Sequence, residues 1–562
     1  MSEMTVSSPL ILQSDMTVML EVAHPDFESL RGTLALFADL EKSPEHIHTY
    51  RITPLSIWNA ASAGVPLDDI CHFLITNSKY EVPQNLVFQI RELYSRFGRL
   101  VLKPDSENSE RIILESDDPL ILVEALSSKK IASLIIERKN EHTVYVNPAY
   151  RGFLKKEFID IGYPVWDEAG YRAGAGLRFD LRSVANSGKE FTLRDYQTGA
   201  VDRFWEEGKN TGGCGVIVLP CGAGKTIVGM AVMQRYQCET LILTTNIIAL
   251  RQWKSELLDK SDIPAEMIGE YSGDVKEVRP ITLATYNILT WRRDKGSDFE
   301  HFGLFMQNDW GMIIYDEVHL LPAPVFRVTA ELQSRRRLGL TATLVREDGL
   351  EKDVFSLIGP KKYDVPWKEL EHRGWIARAL CREIRVEMPR DLRLEYIASN
   401  EREKFRLASE NPSKMEVIES LLEKHKNDDV LIIGQYINQI EAVARQFSLP
   451  LISGSTPISR REELYGDFRQ GKVPVLVVSK VANFAIDLPD ASVAIQISGT
   501  FGSRQEEAQR LGRILRPKSD GNVAIFYTII TRNSKEQQFA ANRQLFLTEQ
   551  GYSYTIENWQ EA

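Results

Sequence analysis

The 562-residue chain is poor in cysteine, and its few cysteines are scattered. They are Cys71, Cys214, Cys221, Cys238 and Cys381. None of them forms a C-x-x-C pair, which argues against a zinc or iron–sulfur site. Cysteines used in this way are typical of a reducing compartment, so we expect a cytoplasmic protein.

Long hydrophobic runs and an excess of positive charge are also missing. No run of about 18 apolar residues occurs, so we expect no membrane span. The N-terminal "MSEMTVSSPLILQSDM" lacks a basic region before a long apolar stretch, so we expect no secretion signal. The net charge of −10 argues against nonspecific coating of nucleic acid. It does not exclude a nucleic-acid motor, because local basic grooves decide phosphate contact.

The length exceeds the roughly 250–300 residues at which one core stops growing, so several domains are expected. Residues 1–110 have mixed helix and strand patterns, and residues 111–185 are strand-rich and end in a glycine-rich linker. From residue 186, short apolar runs such as "CGVIVLP", "TLILTT" and "GMIIYDE" alternate with helical segments. This α/β rhythm predicts two tandem parallel-sheet domains, 186–368 and 369–562, after two small α+β domains.

A glycine-bearing stretch, "VIVLPCGAGKTIVGMAVM" (216–233), lies where a buried strand pattern changes to a helical one. Gly222 and Gly224 allow backbone N–H groups to converge on phosphate oxygens, Lys225 reaches the β/γ-phosphates, and the Thr226 hydroxyl suits Mg²⁺. Leu219 replaces the first glycine of the strict phosphate-loop pattern, so a solvated lysine after a glycine turn is the alternative. The predicted nucleotide-binding residues here are Leu219, Pro220, Cys221, Gly222, Ala223, Gly224, Lys225 and Thr226.

A second motif, "GMIIYDEVHLLPA", places two carboxylates at the tip of an apolar strand. We expect Asp316 to ligate Mg²⁺ and Glu317 to orient and deprotonate the attacking water. His319 is a candidate for coupling the first α/β domain to the second, and a hydrogen-bonded polar residue without such a role is the alternative. Surface carboxylates after a strand are the alternative, but that interpretation is weaker when the pair follows a phosphate loop.

A third motif, "GSRQEEAQRLGRILRPK", belongs to the second α/β domain. On a helix, Gln509, Arg513 and Arg516 share one face, and two guanidinium groups suit a γ-phosphate whose charge grows in the transition state. A solvated basic helix is the alternative for this motif alone. Together the three motifs predict a Mg²⁺-dependent nucleoside triphosphatase whose site lies in a cleft between two domains.

These motifs resemble those of superfamily 2 helicases, whose two motor domains are RecA-like. "FTLRDYQTGAVDRF" (191–204) is similar to the adenine-side motif and implies roles for Arg194 and Gln197. "LILTTNIIALRQW" and "ITLATYNIL" resemble motifs that track a nucleic-acid strand. "GLTATLVREDG" and "VLVVSKVANFAIDLPDASVAIQIS" resemble coupling motifs, although Ala485 stands where many relatives have glycine. The coupling residues implied by these two stretches are Thr341, Thr343 and Asp487.

The resemblance is closest to the XPB-type DNA helicases, relatives of the xeroderma pigmentosum group B protein. Arg346-Glu347-Asp348 matches that family's RED element, to which strand separation is attributed. The stretches 357–377 and 501–518 are also similar to this family. Residues 389–412 take the place of its thumb element, and residues 111–180 that of its damage-recognition domain. The lack of long terminal extensions implies a bacterial or archaeal form, hence a prokaryotic cytoplasm.

The resemblance implies ATP and Mg²⁺ as cofactors and 3′→5′ movement on single-stranded or forked DNA in DNA repair. It also implies a possible nuclease partner, while the oligomeric state stays open. One alternative is a duplex translocase that hydrolyses ATP without separating strands. Another is a nucleotide-switched scaffold that binds DNA damage, although Arg513 and Arg516 argue against a switch. Trp253 and Trp291 either stack on bases or pack at domain edges.

Overall fold

A computed structural model describes most of the chain. The described residues are 8–42, 47–108, 111–170, 173–209, 212–220, 222–273, 275–294, 300–301, 303–304, 308–321, 325, 336–342, 351–365, 367–479, 491–499, 523–549, 552 and 554–559. The chain divides into two compact units, one of Met1–Val218 with Lys225–Asp364 and one of Leu219–Gly224 with Val365–Ala562. Among the described helices, none is both long and apolar enough to cross a bilayer.

The first unit begins with a four-stranded antiparallel sheet in the order β1-β2-β4-β3. Its strands are β1 (Leu10–Leu12), β2 (Thr17–Glu21), β3 (Asp39–Lys42) and β4 (Ile47–Arg51). The helices are α1 (Phe27–Leu34), α2 (Pro54–Ser62), α3 (Leu67–Asn77) and α4 (Gln84–Arg96). Thr53 and Ser56 exchange capping hydrogen bonds at the start of α2, where Pro54 takes the first helical position. The apolar faces of these elements enclose one hydrophobic core.

A five-stranded sheet follows, in the order β7-β8-β6-β5-β9. Its strands are β5 (Leu100–Pro104), β6 (Ile112–Ser116), β7 (Ile135–Arg138), β8 (Thr143–Val146) and β9 (Val165–Asp167), with helices α5 (Pro119–Ser127), α6 (Lys129–Ala132) and α7 (Arg151–Asp160). β5 and β6 pair antiparallel, with Leu102 opposite Leu114. Since β5 precedes residue 110 and β6 follows it, this sheet crosses the boundary predicted there. Strand pairing places a division before β5.

Helix α7 carries a buried cluster of charges. The Arg151 guanidinium pairs with the Asp167 carboxylate of β9, and the Lys155 ammonium lies 3.2 Å from the same carboxylate. Arg151 and Lys155 hold the pKa of Asp167 down to about 2, against the effect of burial. Burial lowers the pKa of Lys155 to about 8. Asp167 therefore supplies the counter-charge that lets α7 pack with two cations in the interior.

The rest of the first unit contains a seven-stranded parallel sheet in the order β12-β13-β11-β14-β15-β10-β16. Its strands are β10 (Cys214–Val218), β11 (Thr240–Thr244), β12 (Ile268–Tyr271), β13 (Ile281–Thr285), β14 (Met312–Asp316), β15 (Arg336–Thr341) and β16 (Lys361–Asp364). The helices are α8 (Asp195–Trp205), α9 (Lys225–Tyr236), α10 (Ile247–Lys260), α11 (Tyr286–Leu289) and α12 (Glu351–Leu357). The central strands are buried on both faces, which explains their continuous apolar sequences.

Strand register brings three loops to one edge of this sheet. β15 lies between β10 and β14 and pairs with both in parallel. Thr341 is opposite Val218, the last residue of β10, and Leu340 is opposite Asp316, the last residue of β14. Ligands of open α/β sheets bind at such carboxyl ends.

The second unit contains another seven-stranded parallel sheet, in the order β19-β20-β18-β21-β22-β17-β23. Its strands are β17 (Ala379–Val386), β18 (Val430–Gly434), β19 (Leu451–Ile452), β20 (Val475–Ser479), β21 (Val493–Gln496), β22 (Ala524–Thr531) and β23 (Tyr554–Asn558). The helices are α13 (Trp367–His372), α14 (Arg390–Ala398), α15 (Glu401–Ser409), α16 (Lys414–Lys424), α17 (Ile437–Gln446), α18 (Ile458–Arg469) and α19 (Lys535–Glu549). The predicted α/β fold with two tandem parallel sheets is confirmed. The stretch predicted as a thumb, 389–412, contains α14 and α15.

A buried ion pair joins α16 to α19 in this unit. The Lys414 Nζ lies 2.6 Å from Glu536 Oε1, and both side chains are almost fully buried. Lys414 also donates to the Ile497 carbonyl at 2.7 Å, and Glu536 Oε2 accepts from the Thr531 N–H at 2.9 Å. Each charge is thus paired and hydrogen-bonded, which compensates for its removal from water.

Candidate nucleotide-binding site

The loop that leads from β10 to α9 has the backbone that the glycine pattern predicts. Gly222 and Gly224 have φ of 80° and 81°, in the left-handed region that glycine adopts without strain. The Ala223 N–H donates to the Pro220 carbonyl at 3.1 Å and closes a turn between them. Leu219, which replaces the first glycine of the strict motif, is fully buried. The Leu219 side chain therefore packs in the protein interior.

Helix α9 begins at Lys225, so the positive end of its dipole lies where the phosphate loop ends. The Lys225 Nζ lies 3.1 Å from Glu317 Oε1. Both side chains are mostly buried, so this ion pair is only weakly screened by solvent. Thr226 is the second residue of the same helix.

The carboxylates follow β14. Asp316 ends that strand, and Glu317 has a left-handed backbone with φ of 50°, which turns the chain sharply after the strand. The Glu317 N–H donates to Asp316 Oδ1 at 3.1 Å, and the Trp253 indole N–H donates to Asp316 Oδ2 at 3.0 Å. The Tyr286 hydroxyl donates to the Asp316 carbonyl at 2.8 Å. Hydrogen bonds therefore fix both oxygens of the Asp316 carboxylate and its backbone.

The charge balance at this edge suits a cation. Burial, and next the neighbouring Glu317, raise the pKa of Asp316 to about 6, although Lys225 opposes the shift. A divalent ion would relieve this excess of negative charge. Asp316 and Thr226 offer oxygen ligands, and Mg²⁺ takes only one or two carboxylates beside water and phosphate oxygens. The residues present therefore fit the predicted ion.

His319 connects this site to the next strand. It belongs to a short 3-10 turn, Val318–Leu320, directly after the carboxylates. Its Nδ1 lies 2.7 Å from the Thr341 hydroxyl and 3.5 Å from Glu317 Oε2. His319 and Thr341 are both buried. One imidazole thus contacts the candidate base and the end of β15.

The predicted adenine-side residues lie at the start of α8. The Arg194 N–H donates to Gln197 Oε1 at 3.0 Å, which caps the helix, and Arg194 Nη1 donates to the Tyr196 hydroxyl at 3.1 Å. Gln197 is buried. Helix α8 packs against α9 and β10, the elements that flank the phosphate loop. Adenine recognition by Arg194 and Gln197 stays a prediction.

The structure brings together Lys225, Asp316, Glu317, His319 and Thr341 from three separate motifs. Several other predicted residues lie outside the described part of the chain. These are Cys221, Thr343, Arg346, Glu347, Asp348, Asp487, Gln509, Arg513 and Arg516. No local pattern in the sequence indicates the hydrogen bonds from Trp253 and Tyr286 to Asp316. The spacing of Leu250, Trp253 and Leu257 is typical of a buried helix face and indicates only the burial of Trp253.

Comparison with known proteins identifies the family. The model of the ERCC3/RAD25/XPB C-terminal helicase family matches residues 370–561. The chain is 52% identical to the DNA 3′-5′ helicase XPB of Kineococcus radiotolerans, over 98% of this chain and 96% of that protein. The chain belongs to the XPB family of DNA helicases. This membership confirms the family and the helicase class predicted from the sequence.

Other similarities extend over the same length. The DNA 3′-5′ helicase XPB of Mycobacterium tuberculosis is 52% identical over 98% of both chains. The general transcription and DNA repair factor IIH helicase/translocase subunit XPB of Enterocytozoon bieneusi is 32% identical over 99% of this chain and 93% of that one. XPB relatives in bacteria and in a eukaryote therefore match almost the whole chain.

Two further family models match stretches within the first 346 residues of the chain. The type III restriction enzyme res subunit model covers residues 190–346, which include the phosphate loop and both carboxylates. The model described as helicase conserved C-terminal domain covers residues 10–140. That stretch contains the four-stranded sheet and most of the five-stranded sheet, and it also crosses the boundary predicted at residue 110.

Proposed function

We propose that this XPB-family helicase hydrolyses ATP at the carboxyl edge of β10 and β14 and moves 3′→5′ on DNA. The observation that carries the proposal is the convergence of Lys225, Asp316 and Glu317 at this edge. A cation for phosphate, a metal carboxylate and a general base are the three groups that phosphoryl transfer to water requires. The names of the bacterial relatives, DNA 3′-5′ helicases, support the direction of movement.

Each of these residues has a distinct role in hydrolysis. Lys225 exchanges its contact with Glu317 for the β/γ-phosphates when nucleotide enters. Glu317 is then free to orient the attacking water and to accept its proton. Asp316 and Thr226 would hold Mg²⁺, which supplies neutralisation of phosphate charge when it is bound. The predicted role of Gln509, Arg513 and Arg516, which lie outside the described residues, is to stabilise the charge that develops on the γ-phosphate.

Coupling to DNA would pass through His319 and Thr341. A shift at the end of β15 would move the imidazole, and with it the orientation of Glu317. The predicted coupling role is retained for Thr343 and Asp487. The predicted role in strand separation is retained for the RED element, Arg346-Glu347-Asp348.

The substrate that we propose is single-stranded or forked DNA, in DNA repair. A nuclease partner and a prokaryotic cytoplasmic location belong to the same proposal. The relatives' names support a role on DNA, and one of them includes DNA repair. The nuclease partner rests on the family resemblance alone.

The test is steady-state ATP hydrolysis with and without single- and double-stranded DNA, followed by strand release from a 3′-tailed duplex. DNA should stimulate hydrolysis in the wild-type protein, and Lys225→Ala should abolish the stimulated rate. Lys209→Ala is the matched control, because Lys209 is exposed and pairs only with the nearby Glu207 among the described contacts.

Two results would replace the helicase proposal with an alternative. Stimulated hydrolysis without strand release would identify a duplex translocase. ATP-dependent DNA binding with turnover near zero would identify a nucleotide-switched scaffold. A hydrolysis rate indifferent to every nucleic acid would contradict a DNA motor.

A further inference from the structure

Trp253 lies at the meeting point of three elements of the nucleotide site. It belongs to α10, is 1% exposed, and donates its indole N–H to Asp316 Oδ2 across a sequence separation of 63 residues. Its ring also packs against α9, because a Cβ added at Gly229 would lie 2.4 Å from the indole Cη2. The same side chain thus contacts the helix that begins at Lys225 and the carboxylate that ends β14.

The helix that carries Trp253 holds the indole firmly in place. The Asn246 side chain caps α10 by accepting from the Ile248 and Ala249 N–H groups, each at 3.0 Å. Leu250 and Leu257 are fully buried one turn on either side of the tryptophan. An indole anchored in this way loses little entropy when it makes its hydrogen bond.

The indole N–H completes the fixation of the Asp316 carboxylate. Oδ1 accepts from the Glu317 N–H and Oδ2 accepts from Trp253, so the two donors define the plane of the carboxylate. Without the indole donor, the carboxylate can rotate about its terminal torsion, which is intrinsically broad. Each oxygen keeps a further lone pair for a cation or a water.

We propose that Trp253 is a positioning residue for the metal: its indole N–H presets the Asp316 carboxylate to receive Mg²⁺ with nucleotide. The inference rests on the proposed function, in which Asp316 is the metal carboxylate. Partners that orient a metal ligand without touching the metal commonly change metal affinity 10–100-fold when they are removed. Phenylalanine would retain the packing against Gly229 but would not supply the donor.

The test measures metal-dependent nucleotide binding, without any need for turnover. A fluorescent ADP analogue is titrated onto the full chain at increasing free Mg²⁺, and the midpoint of the Mg²⁺-dependent change is recorded. Trp253→Phe should raise this midpoint about tenfold and leave binding in EDTA unchanged. A second variant carries β-(benzothien-3-yl)alanine at position 253, which keeps the ring shape and replaces N–H by sulfur. It should give the same shift.

Trp310→Phe is the matched control. Trp310 is fully buried in the same parallel-sheet domain and donates its indole N–H to the Leu304 carbonyl at 3.0 Å. Its replacement should leave the Mg²⁺ midpoint unchanged, and thermal unfolding in EDTA verifies that each variant is folded.

Three outcomes separate this inference from the proposed function. A raised midpoint in both Trp253 variants but not in Trp310→Phe supports the inference. A midpoint like the wild type in a folded benzothienyl variant overturns it and leaves the proposed function intact. A wild-type chain that binds no nucleotide at any Mg²⁺ concentration overturns both.

Discussion

The Nδ1 of His319 and the hydroxyl oxygen of Thr341 lie 2.7 Å apart, which joins the turn after β14 to the end of β15. The same Nδ1 is 3.5 Å from Glu317 Oε2. The imidazole therefore contacts both the candidate base for water and the residue that closes the neighbouring strand.

This contact predicts that His319→Ala uncouples hydrolysis from DNA. We expect the DNA-stimulated rate to fall about tenfold, a cost of about 1.4 kcal/mol, because Glu317 loses a neighbour that orients it. The basal rate should change much less. The measurement is the ratio of ATPase rates with and without DNA. His301→Ala is the control, since His301 hydrogen-bonds Tyr271 instead.

Thr341→Val should reproduce the effect of His319→Ala, because it removes the other partner of the hydrogen bond. The double variant should be little worse than either single variant, since both remove one interaction. Fully additive losses of stimulation would show that the two residues act independently.

Glu317→Gln is expected to block hydrolysis while nucleotide still binds. The amide retains the size of the side chain but cannot accept the proton of the attacking water. We expect kcat to fall at least 100-fold, and the affinity for a fluorescent ATP analogue to stay within about threefold of the wild type. Glu270→Gln, a buried carboxyl on β12 of the same sheet, should affect neither. Loss of nucleotide binding in Glu317→Gln would contradict this assignment.

The raised pKa of Asp316 predicts how stability depends on pH. This carboxyl has a pKa of about 6 in the folded protein and about 3.9 when unfolded. The folded state therefore binds more protons between these values, and the free energy of unfolding falls as pH rises from about 4 to about 6. About one unit above the folded pKa, near pH 7, the penalty is complete.

Asp316→Asn removes this pH-dependent penalty, so between pH 4.5 and pH 8 its stability relative to the metal-free wild type should rise by about 1–2 kcal/mol. Two pKa units correspond to about 2.7 kcal/mol, and partial exposure of Asp316 reduces that figure. The amide offers one acceptor oxygen to two N–H donors, which by itself lowers the stability of the variant. Urea unfolding in EDTA at pH 4.5, 6 and 8 should therefore show the difference between variant and wild type moving in favour of the variant as pH rises. Asp309→Asn, at an exposed position, is the control. A difference between variant and wild type that does not change with pH would contradict the shift.

The buried Lys414–Glu536 pair predicts a large and asymmetric effect on stability. Glu536→Gln leaves the ammonium of Lys414 without its counter-charge, at a cost of about 3–5 kcal/mol in urea unfolding of the second unit. The Lys414→Met/Glu536→Leu double variant should lose less than the single variant, because no buried charge remains.

An exposed ion pair, Lys535–Glu401, serves as the control for the buried Lys414–Glu536 pair. Lys535 Nζ and Glu401 Oε2 lie 2.8 Å apart with both side chains partly in solvent. Glu401→Gln should therefore cost no more than about 1 kcal/mol. Equal losses in Glu401→Gln and Glu536→Gln would contradict the role of burial.

The sequence predicted those parts of the site that depend on local pattern. The phosphate loop was predicted from the strand, glycines and helix around Lys225, and Asp316 and Glu317 from their place at a strand tip. Each signal lies within about a dozen consecutive residues. The parallel sheets were predictable for the same reason, since apolar strands alternate with helices along the chain.

The other features of the site and of the sheets depend on contacts between residues that are far apart in the sequence. The helical spacing of Trp253 indicates a buried face, but the partner of its indole is fixed only when α10 packs on the sheet that contains β14. The boundary predicted at residue 110 lies between β5 and β6, which pair in one sheet. Pairing between strands, which a linear pattern does not contain, decides to which sheet β5 belongs.

Because β15 lies between β10 and β14, it sets the distance between these two strands. Adjacent strands are about 4.8 Å apart, so the phosphate-loop strand and the acidic strand are held about 9.6 Å apart. That span separates the origin of the lysine from the origin of the metal carboxylate, whatever conformation the loops adopt. β15 ends in Thr341, so the strand that sets the width of the nucleotide site also makes the hydrogen bond to His319.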